Sequence, residues 1–178
     1  MKITDPTKND PTAKLGKYFI WLAWIMVFIL LVFVFQSVLE QQANPNSDPE
    51  YSLNAQGQAE VTLQQNRQGH YVTSGTIHEI PVTFLLDTGA TQVSIPAHIA
   101  DQLNLKATGQ GIANTANGQV RIYQTHLNQL SIGNIYLYDV DAHINPGMQS
   151  DEILLGMSAL KRLEFSQTGK QLILRERN

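Results

Sequence analysis

The sequence predicts an all-β barrel domain with one or two short helices, preceded by an N-terminal transmembrane helix. Three observations support this fold class. One long apolar segment lies near the N-terminus. Many short strand-like segments, separated by turn residues, fill the C-terminal two thirds of the chain. Only two short segments there have the apolar spacing of a helix. With 178 residues and 43% hydrophobic residues, the chain can form one well-packed domain and additional segments.

The apolar segment is long enough to cross a membrane. Residues 19–35 form an unbroken run of 17 apolar residues, and residues 18–39 extend it to 22. A helix of this length rises about 33 Å, at ~1.5 Å per residue. A core helix rarely stays apolar on all sides over such a length. A cleaved signal peptide needs small residues at its cleavage site, which residues 40–44 do not supply. We therefore expect an uncleaved signal anchor at residues 18–39.

The charge distribution predicts how this anchor is oriented. Four lysines and two aspartates precede residue 18, whereas 13 acidic and 8 basic residues follow from residue 40 onward. The positive-inside rule then predicts a cytoplasmic N-terminus at residues 1–17 of a single-pass inner (cytoplasmic) membrane protein, with its C-terminal domain periplasmic or extracytoplasmic. The mildly acidic domain argues against a nucleic-acid partner. Because the chain has no cysteine, it has no disulfide framework.

The remainder of the chain is predicted to be a linker followed by a domain of short strands. Residues 40–58 are polar and rich in Asn, Gln, Pro and Ser, which is typical of a linker, and the domain occupies residues 59–178. Alternating β-branched residues and turn residues predict strands at 60–63, 70–77, 81–86, 93–95, 123–130, 134–144, 153–156 and 172–174, with a strand also at Phe165. Short helices are predicted at 97–103 and 157–163.

An aspartate directly follows the apolar strand at residues 84–86. A carboxylate at the end of a buried strand costs free energy unless it is hydrogen-bonded. The sequence continues with Thr88 and Gly89, which offer a hydroxyl group and a backbone that neighbouring groups can approach closely. A buried Asp87 held in a hydrogen-bonded turn is suited to acid–base catalysis. The alternative is a structural aspartate that caps a turn.

Two further motifs accompany this turn. Residues 109–122 are small and polar, and the pair Asn117-Gly118 is typical of a type I′ hairpin. Because its arms have little apolar surface to bury, we expect this hairpin to project from the domain and move. The third motif is Leu154-Leu155-Gly156, a buried apolar strand that ends in glycine.

These three motifs resemble the retropepsin-like aspartic proteases, in particular their bacterial, membrane-anchored, single-domain branch, over residues 68–174. The resemblance implies a closed retropepsin-like acid-protease barrel that hydrolyses peptide bonds of a peptide or protein substrate with no cofactor and no metal. It implies that Asp87 is catalytic, and that Ala90, where many relatives have serine, makes the site less acidic. The remaining implied roles are support of the active-site turn by Thr88, Gly89 and Ala90, a flap formed by Ala113, Asn114, Thr115, Ala116, Asn117 and Gly118, and an apolar-Gly support formed by Leu154, Leu155 and Gly156.

The chain contains a single Asp-Thr-Gly motif, although this chemistry needs two carboxylates that share one proton. A homodimer would place Asp87 beside its symmetry mate, as the resemblance also implies. The alternative within one chain is Asp139 or Asp141. We expect instead that these two lie on the solvated face of a strand, with Tyr138, Val140 and Ala142 turned inward.

Other classes of site have weaker support in the sequence. The five histidines lack the local spacing of a metal site. No serine lies in a nucleophile-elbow motif, and no glycine-rich phosphate loop precedes a helix. Two alternative functions remain open: a non-catalytic peptide-binding or dimerisation module with the same fold, and a membrane-proximal assembly protein.

Overall fold

The computed structural model describes residues 11–115 and 118–177. The chain divides into two compact units, and the second begins at Gln41. Helix α1 spans Pro11–Ala43 and contains the whole segment predicted to cross a membrane. From Gly16 onward this helix is long and apolar enough to span a bilayer, and none of its most apolar window is buried within the protein. By length and composition it fits either a membrane anchor or a signal sequence.

The second unit is mostly β-structure, which confirms the all-β part of the prediction. Every predicted strand is present; six of the nine are longer than predicted, and the strand predicted at 70–77 begins two residues later. Its strands are β1 Glu50–Leu53, β2 Ala59–Gln64, β3 Val72–Ile77, β4 Ile80–Leu86, β5 Val93–Pro96, β6 Gly109–Thr115, β7 Gly118–Ile132, β8 Ile135–Asn145, β9 Glu152–Leu155, β10 Leu163–Thr168 and β11 Gln171–Glu176. Two short helices, α2 Ala97–Gln102 and α3 Met157–Leu160, complete it. Helix α3 ends three residues before the predicted residue 163, where strand β10 begins.

The strands form two sheets. One has four strands in the order β1-β2-β11-β10, and the other has seven in the order β3-β4-β9-β5-β8-β7-β6. Strand β3 also pairs with β7, through Thr76 opposite Ser131 and Ile77 opposite Leu130. Most neighbours are antiparallel, but β4 runs parallel to β9, and β5 runs parallel to β8. Because β4 and β9 are parallel, the loops that follow them leave the same edge of the sheet.

The apolar faces of the strands form one continuous core. Its fully buried side chains include Phe84 on β4, Ile95 on β5 and Leu155 on β9. Burying each side chain of this size stabilises the fold by about 1.5–3 kcal/mol. At Gly75 a Cβ atom would lie 2.2 Å from the Ser131 carbonyl oxygen, so only glycine allows β3 to approach β7 so closely. The core therefore fixes the position of β4 and of the aspartate that follows it.

The segment predicted as a linker is largely part of the domain. Within residues 40–58, strand β1 pairs with β2, and Asn46 is buried with 3% of its surface exposed. The Asn46 side-chain amide donates hydrogen bonds to the carbonyl oxygens of Gln64 (2.9 Å) and Val72 (2.6 Å), and its oxygen accepts one from the Gln64 N–H (2.6 Å). The polar composition wrongly suggested a linker. An asparagine side chain can form hydrogen bonds with backbone groups of neighbouring strands, so a polar residue can be part of the packed domain.

Strand β8 also differs from the predicted pattern of inward and outward residues. Val140 and Ala142 are buried as predicted, but the inward placement of Tyr138 is wrong, because this side chain is 54% exposed. Asp139 has a positive φ of 53°, and this left-handed residue reverses the alternation of the strand. Asp139 and Asp141 are exposed, as predicted, and both lie near the ring of His126.

Candidate active site

The turn that contains Asp87 is attached to the strands on both sides of it. Leu86 pairs with Leu155 across the parallel strands β4 and β9. The Leu86 N–H donates a hydrogen bond to the Tyr71 carbonyl oxygen (3.0 Å), and the Asp87 N–H donates one to the Leu155 carbonyl oxygen (3.2 Å). Because both bonds are between backbone groups, they fix where the chain leaves the sheet. They therefore fix the position of the Asp87 backbone, from which the carboxylate side chain extends.

The carboxylate is also held by its own turn, as the sequence predicted. The Gly89 N–H donates a hydrogen bond to Asp87 Oδ1 (2.8 Å), and the Ala90 N–H donates one to the Asp87 carbonyl oxygen (3.3 Å). A Cβ atom on residue 89 would lie 3.1 Å from Oδ1, which is tighter than an ordinary contact. Glycine at this position therefore lets the backbone amide approach the carboxylate.

The turn is less buried than the sequence predicted. Asp87 is only partly buried, and both Thr88 and Gly89 are exposed. Within the described residues, the Thr88 hydroxyl group has no hydrogen-bond partner. The physical reason is that strands β4 and β9 cover one side of the turn, whereas its other side faces outward. Part of the Asp87 turn is therefore open to solvent in the single chain.

Gly156 packs against the loop that follows Asp87. A Cβ atom at this position would lie 2.3 Å from the Gln92 carbonyl oxygen and 2.7 Å from the Ala90 carbonyl oxygen, so glycine is required. The N–H groups of the next two residues, Met157 and Ser158, donate hydrogen bonds to the carbonyl oxygens of Ala90 (2.8 Å) and Thr91 (3.0 Å). The loop is thus anchored by the start of α3.

A cavity of about 710 Å³ opens beside the carboxylate. The Asp87 turn and the β6–β7 hairpin contribute to its lining, and so does Leu154 of the predicted apolar-Gly motif. Leu155, the next residue of that motif, is fully buried in the core. Among the described residues that line this cavity, Asp87 is the one acid. The described part of the cavity wall therefore contains a single carboxylate.

The hairpin forms part of the cavity wall at the positions predicted for a flap. Ala113, Asn114 and Thr115 on β6 line the cavity. Thr115 pairs with Gly118, the first residue of β7, which has a positive φ of 106°. The predicted flap residues Ala116 and Asn117 lie outside the described residues.

The sequence did not identify the polar side of this cavity, which is formed by Gln92, Ser94, His143 and Asn145. Strands β5 and β8 are parallel neighbours and place Ser94 opposite His143. His143 Nδ1 lies 3.4 Å from Gln92 Oε1, and burial lowers the pKa of His143 below its ordinary value of 6.5. One signal was present in the sequence: Ser94 interrupts the apolar strand Val93–Pro96.

No metal site is evident in the described part of the chain. Its histidine, aspartate and glutamate side chains do not form a group of three that could hold an ion. His98 Nε2 lies 2.9 Å from Asp151 Oδ1, and the two ring nitrogens of His126 lie near different aspartates, so neither arrangement converges on one point. The arrangement around Asp87 instead offers general acid–base chemistry by a carboxylate, with backbone amides nearby.

Comparison with known proteins identifies relatives of this chain. The family described as "gag-polyprotein putative aspartyl protease" matches residues 73–162. An uncharacterized Sinorhizobium sp protein from the cobV 5′ region is 32% identical over 116 residues, which are 64% of this chain and 50% of that protein. An uncharacterized Rickettsia prowazekii (strain Madrid E) protein is 28% identical over 120 residues, or 65% and 50% of the two chains. The chain thus corresponds to about half the length of these two curated relatives.

A solved structure agrees with these matches. The crystal structure of a retropepsin-like aspartic protease from Rickettsia conorii is 29% identical and superposes with a TM-score of 0.54, covering 65% of this chain and 98% of that one. The family match spans half of the chain and includes the Asp87 turn, the hairpin and Gly156. The chain belongs to the retropepsin-like aspartic protease family.

Proposed function

We propose that this protein is a membrane-anchored aspartic endopeptidase, in which two subunits each contribute Asp87 to a catalytic pair that activates water. The observation that supports this proposal most directly is a cavity with one acid, held by backbone hydrogen bonds on an outward-facing turn. A second copy related by a two-fold axis would supply the missing carboxylate without a second motif in the sequence.

The proposed reaction is hydrolysis of a peptide bond without a covalent intermediate. Two carboxylates a few Å apart cannot both ionise easily, so the pair holds one proton at mild pH. The ionised carboxylate accepts a proton from water as the oxygen attacks the peptide carbonyl carbon, and the protonated carboxylic acid donates its proton to the carbonyl oxygen. As the C–N bond breaks, a proton moves to the leaving amine, and the pair again holds one proton.

Two features of the turn favour pairing of subunits. Thr88 and Gly89 are exposed, and in the described part of the chain the Thr88 hydroxyl group lacks a partner. A second subunit would cover this surface and offer hydrogen-bond acceptors to the hydroxyl group. The same contact would bury both Asp87 carboxylates more deeply than a single chain does.

The remaining parts of the domain have supporting roles in this proposal. The hairpin with Ala113, Asn114 and Thr115 serves as a flap that closes over an extended peptide, excludes water and adds backbone hydrogen bonds. The pairing of β3 with β7 supports a closed barrel beneath the flap. Gly156 holds the loop after the aspartate, which keeps the carboxylate in place.

The anchor and the location of the domain also belong to this proposal. Residues 18–39 cross the inner membrane, residues 1–17 stay in the cytoplasm, and the protease domain from Gln41 onward is periplasmic. Retention of the helix in the mature protein, detected by mass spectrometry of the membrane fraction, would separate an anchor from a cleaved signal sequence.

The central test measures cleavage of a diverse peptide library by the full chain in detergent micelles, at mild to acidic pH. Asp87→Asn should abolish cleavage, because asparagine cannot accept or share the proton. Asp139→Asn is the matched control, since it makes the same chemical change at an exposed position and asparagine tolerates the left-handed backbone there. This control also tests Asp139 as a second acid within one chain.

Measurement of the oligomeric state separates the parts of the proposal. A protein that is dimeric by analytical ultracentrifugation but leaves every peptide intact would contradict the peptidase and favour the peptide-binding or dimerisation module. A monomer that cleaves peptides would contradict the shared pair of carboxylates. Loss of cleavage in Asp139→Asn would point to a catalytic site within one chain.

A further inference from the structure

We propose that the polar side of the Asp87 cavity is a subsite for an uncharged carboxamide side chain of the substrate, asparagine or glutamine, formed by Gln92, His143 and Asn145. This inference rests on the proposed peptidase function and adds a substrate preference to it. It depends on which hydrogen-bonding groups face the cavity and which of them are already used within the protein.

Buried polar residues on two parallel strands form most of this side of the cavity, and the partly buried Gln92 directly precedes one of these strands. His143 and Asn145 lie on β8 with 9% and 7% of their surfaces exposed, and Ser94 lies on the neighbouring strand β5 with 3% exposed. All three line the same cavity as Asp87. Because a polar group taken out of water loses free energy unless it is hydrogen-bonded, each of these groups should have a partner in the working enzyme.

Some of these groups have partners within the chain. The Ser94 hydroxyl group donates to Met148 Sδ (3.2 Å), and Asn145 Oδ1 accepts a hydrogen bond from the Gly147 N–H (2.9 Å). His143 Nδ1 lies 3.4 Å from Gln92 Oε1. We assign the imidazole proton to Nδ1, where it can be donated to this amide oxygen, and Nε2 is then an acceptor.

Three groups then remain for a ligand. In the described part of the chain, His143 Nε2, Gln92 Nε2 and Asn145 Nδ2 have no hydrogen-bond partner. The first is an acceptor when the ring is neutral, and the two amide nitrogens are donors. Burial lowers the pKa of His143, which supports the neutral ring at mild pH. The wall therefore presents one acceptor and two donors to the cavity.

A carboxamide matches this set better than other side chains do. Its NH₂ group can donate to His143 Nε2, and its oxygen can accept from the side-chain amide of Gln92 or Asn145. An aliphatic side chain of the same size would leave all three groups without partners, which a hydrogen-bonding site discriminates against strongly. A carboxylate has no proton to donate to His143 and would be placed in the same cavity as Asp87.

The experiment compares peptide pairs that are identical except for asparagine or leucine at one position, and this position is moved along both sides of the cleaved bond. The full chain in detergent micelles is assayed for kcat/KM, and the Asp87→Asn protein is assayed for binding of the same peptides by fluorescence anisotropy. At one position the asparagine peptide should be preferred by about tenfold or more in both assays. The binding assay does not need catalysis, so it tests the subsite independently of the peptidase.

His143→Phe should reduce the preference to about one, because the substituted ring cannot accept a hydrogen bond from the asparagine amide. Gln92→Leu should also reduce the preference, and because Gln92 is only partly buried this variant is a safeguard if His143→Phe does not fold. The matched control is His70→Phe, at an exposed position outside the cavity, which should keep the full preference.

The outcomes separate the two proposals. Equal use of both peptides at every position would overturn the subsite, as would a preference that survives in a folded His143→Phe protein and in Gln92→Leu. Absence of cleavage together with a binding preference that His143→Phe removes would overturn the peptidase and retain the subsite. Cleavage that depends on Asp87 but shows no carboxamide preference would do the reverse.

Discussion

Replacing Asn46 with alanine should lower the free energy of unfolding of the β domain by about 2–4 kcal/mol. The side chain makes three hydrogen bonds of 2.6–2.9 Å, to backbone groups of Gln64 and Val72. Each such bond contributes about 0.5–1.5 kcal/mol, so the three together contribute about 1.5–4.5 kcal/mol. Alanine removes all three bonds and leaves the Gln64 N–H without its side-chain acceptor.

Urea unfolding of the full chain in detergent micelles, followed by far-ultraviolet circular dichroism, measures this effect. Tryptophan fluorescence is unsuitable, because the two tryptophans, Trp21 and Trp24, both lie in α1 and do not report on the β domain. With a urea dependence of about 2 kcal/mol per M, the midpoint should fall by about 1–2 M. Asn128→Ala is the matched control: Asn128 is exposed on β7, and its side chain has no hydrogen bond in the described part of the chain.

Two results would refute the reasoning about Asn46. A midpoint that moves no further in Asn46→Ala than in Asn128→Ala would mean that the segment from Gln41 to strand β1 is not docked on the domain. A large shift in both variants would mean that the effect belongs to asparagine removal in general and not to the buried position.

Two further predictions concern the site. Gly156→Ala should lower the thermal midpoint and peptide cleavage together, because the new Cβ would lie 2.3 Å from the Gln92 carbonyl oxygen and overpacking typically costs about 1–3 kcal/mol. Calorimetry should show little change in Gly111→Ala, where the nearest atom is 3.6 Å away, and an equal loss in both variants would contradict this explanation. Because burial lowers the pKa of His143 below 6.5, the unfolded chain binds more protons than the folded one below that pH. Stability should therefore be fully present above about pH 6.5 and decline as the pH falls toward the folded-state pKa. The urea midpoint of unfolding should decline less over this pH range in His143→Gln than in the wild-type protein. An unchanged pH dependence in the variant would mean that His143 does not cause the decline.

The sequence predicted the features that depend on neighbours along the chain. The strands follow from local alternation, and the Asp87 turn follows from an apolar strand next to threonine and glycine. The sequence also indicated the apolar strand that ends at Gly156, whereas the close approach of the Gln92 carbonyl oxygen to this glycine is seen only in the structure.

Features that depend on distant partners were not predictable in the same way. Asn46 resembles a linker residue until β2 and β3 supply its partners. The outward placement of Tyr138 depends on the left-handed backbone of Asp139, which alternation alone does not reveal. The polar wall of the cavity exists because β5 lies beside β8 and brings Ser94 opposite His143, and this register is a property of the whole sheet.

A cavity with one acid per chain has a consequence for inheritance and dosage. If each working site draws one carboxylate from each of two copies, a cell that makes wild-type and Asp87→Asn copies in equal amounts would assemble about a quarter of its dimers with two intact acids. The defective allele would then be dominant, removing more activity than its share of the protein. Where dimerisation is incomplete, peptidase activity from the normal gene would also rise more steeply than the expression level of that gene.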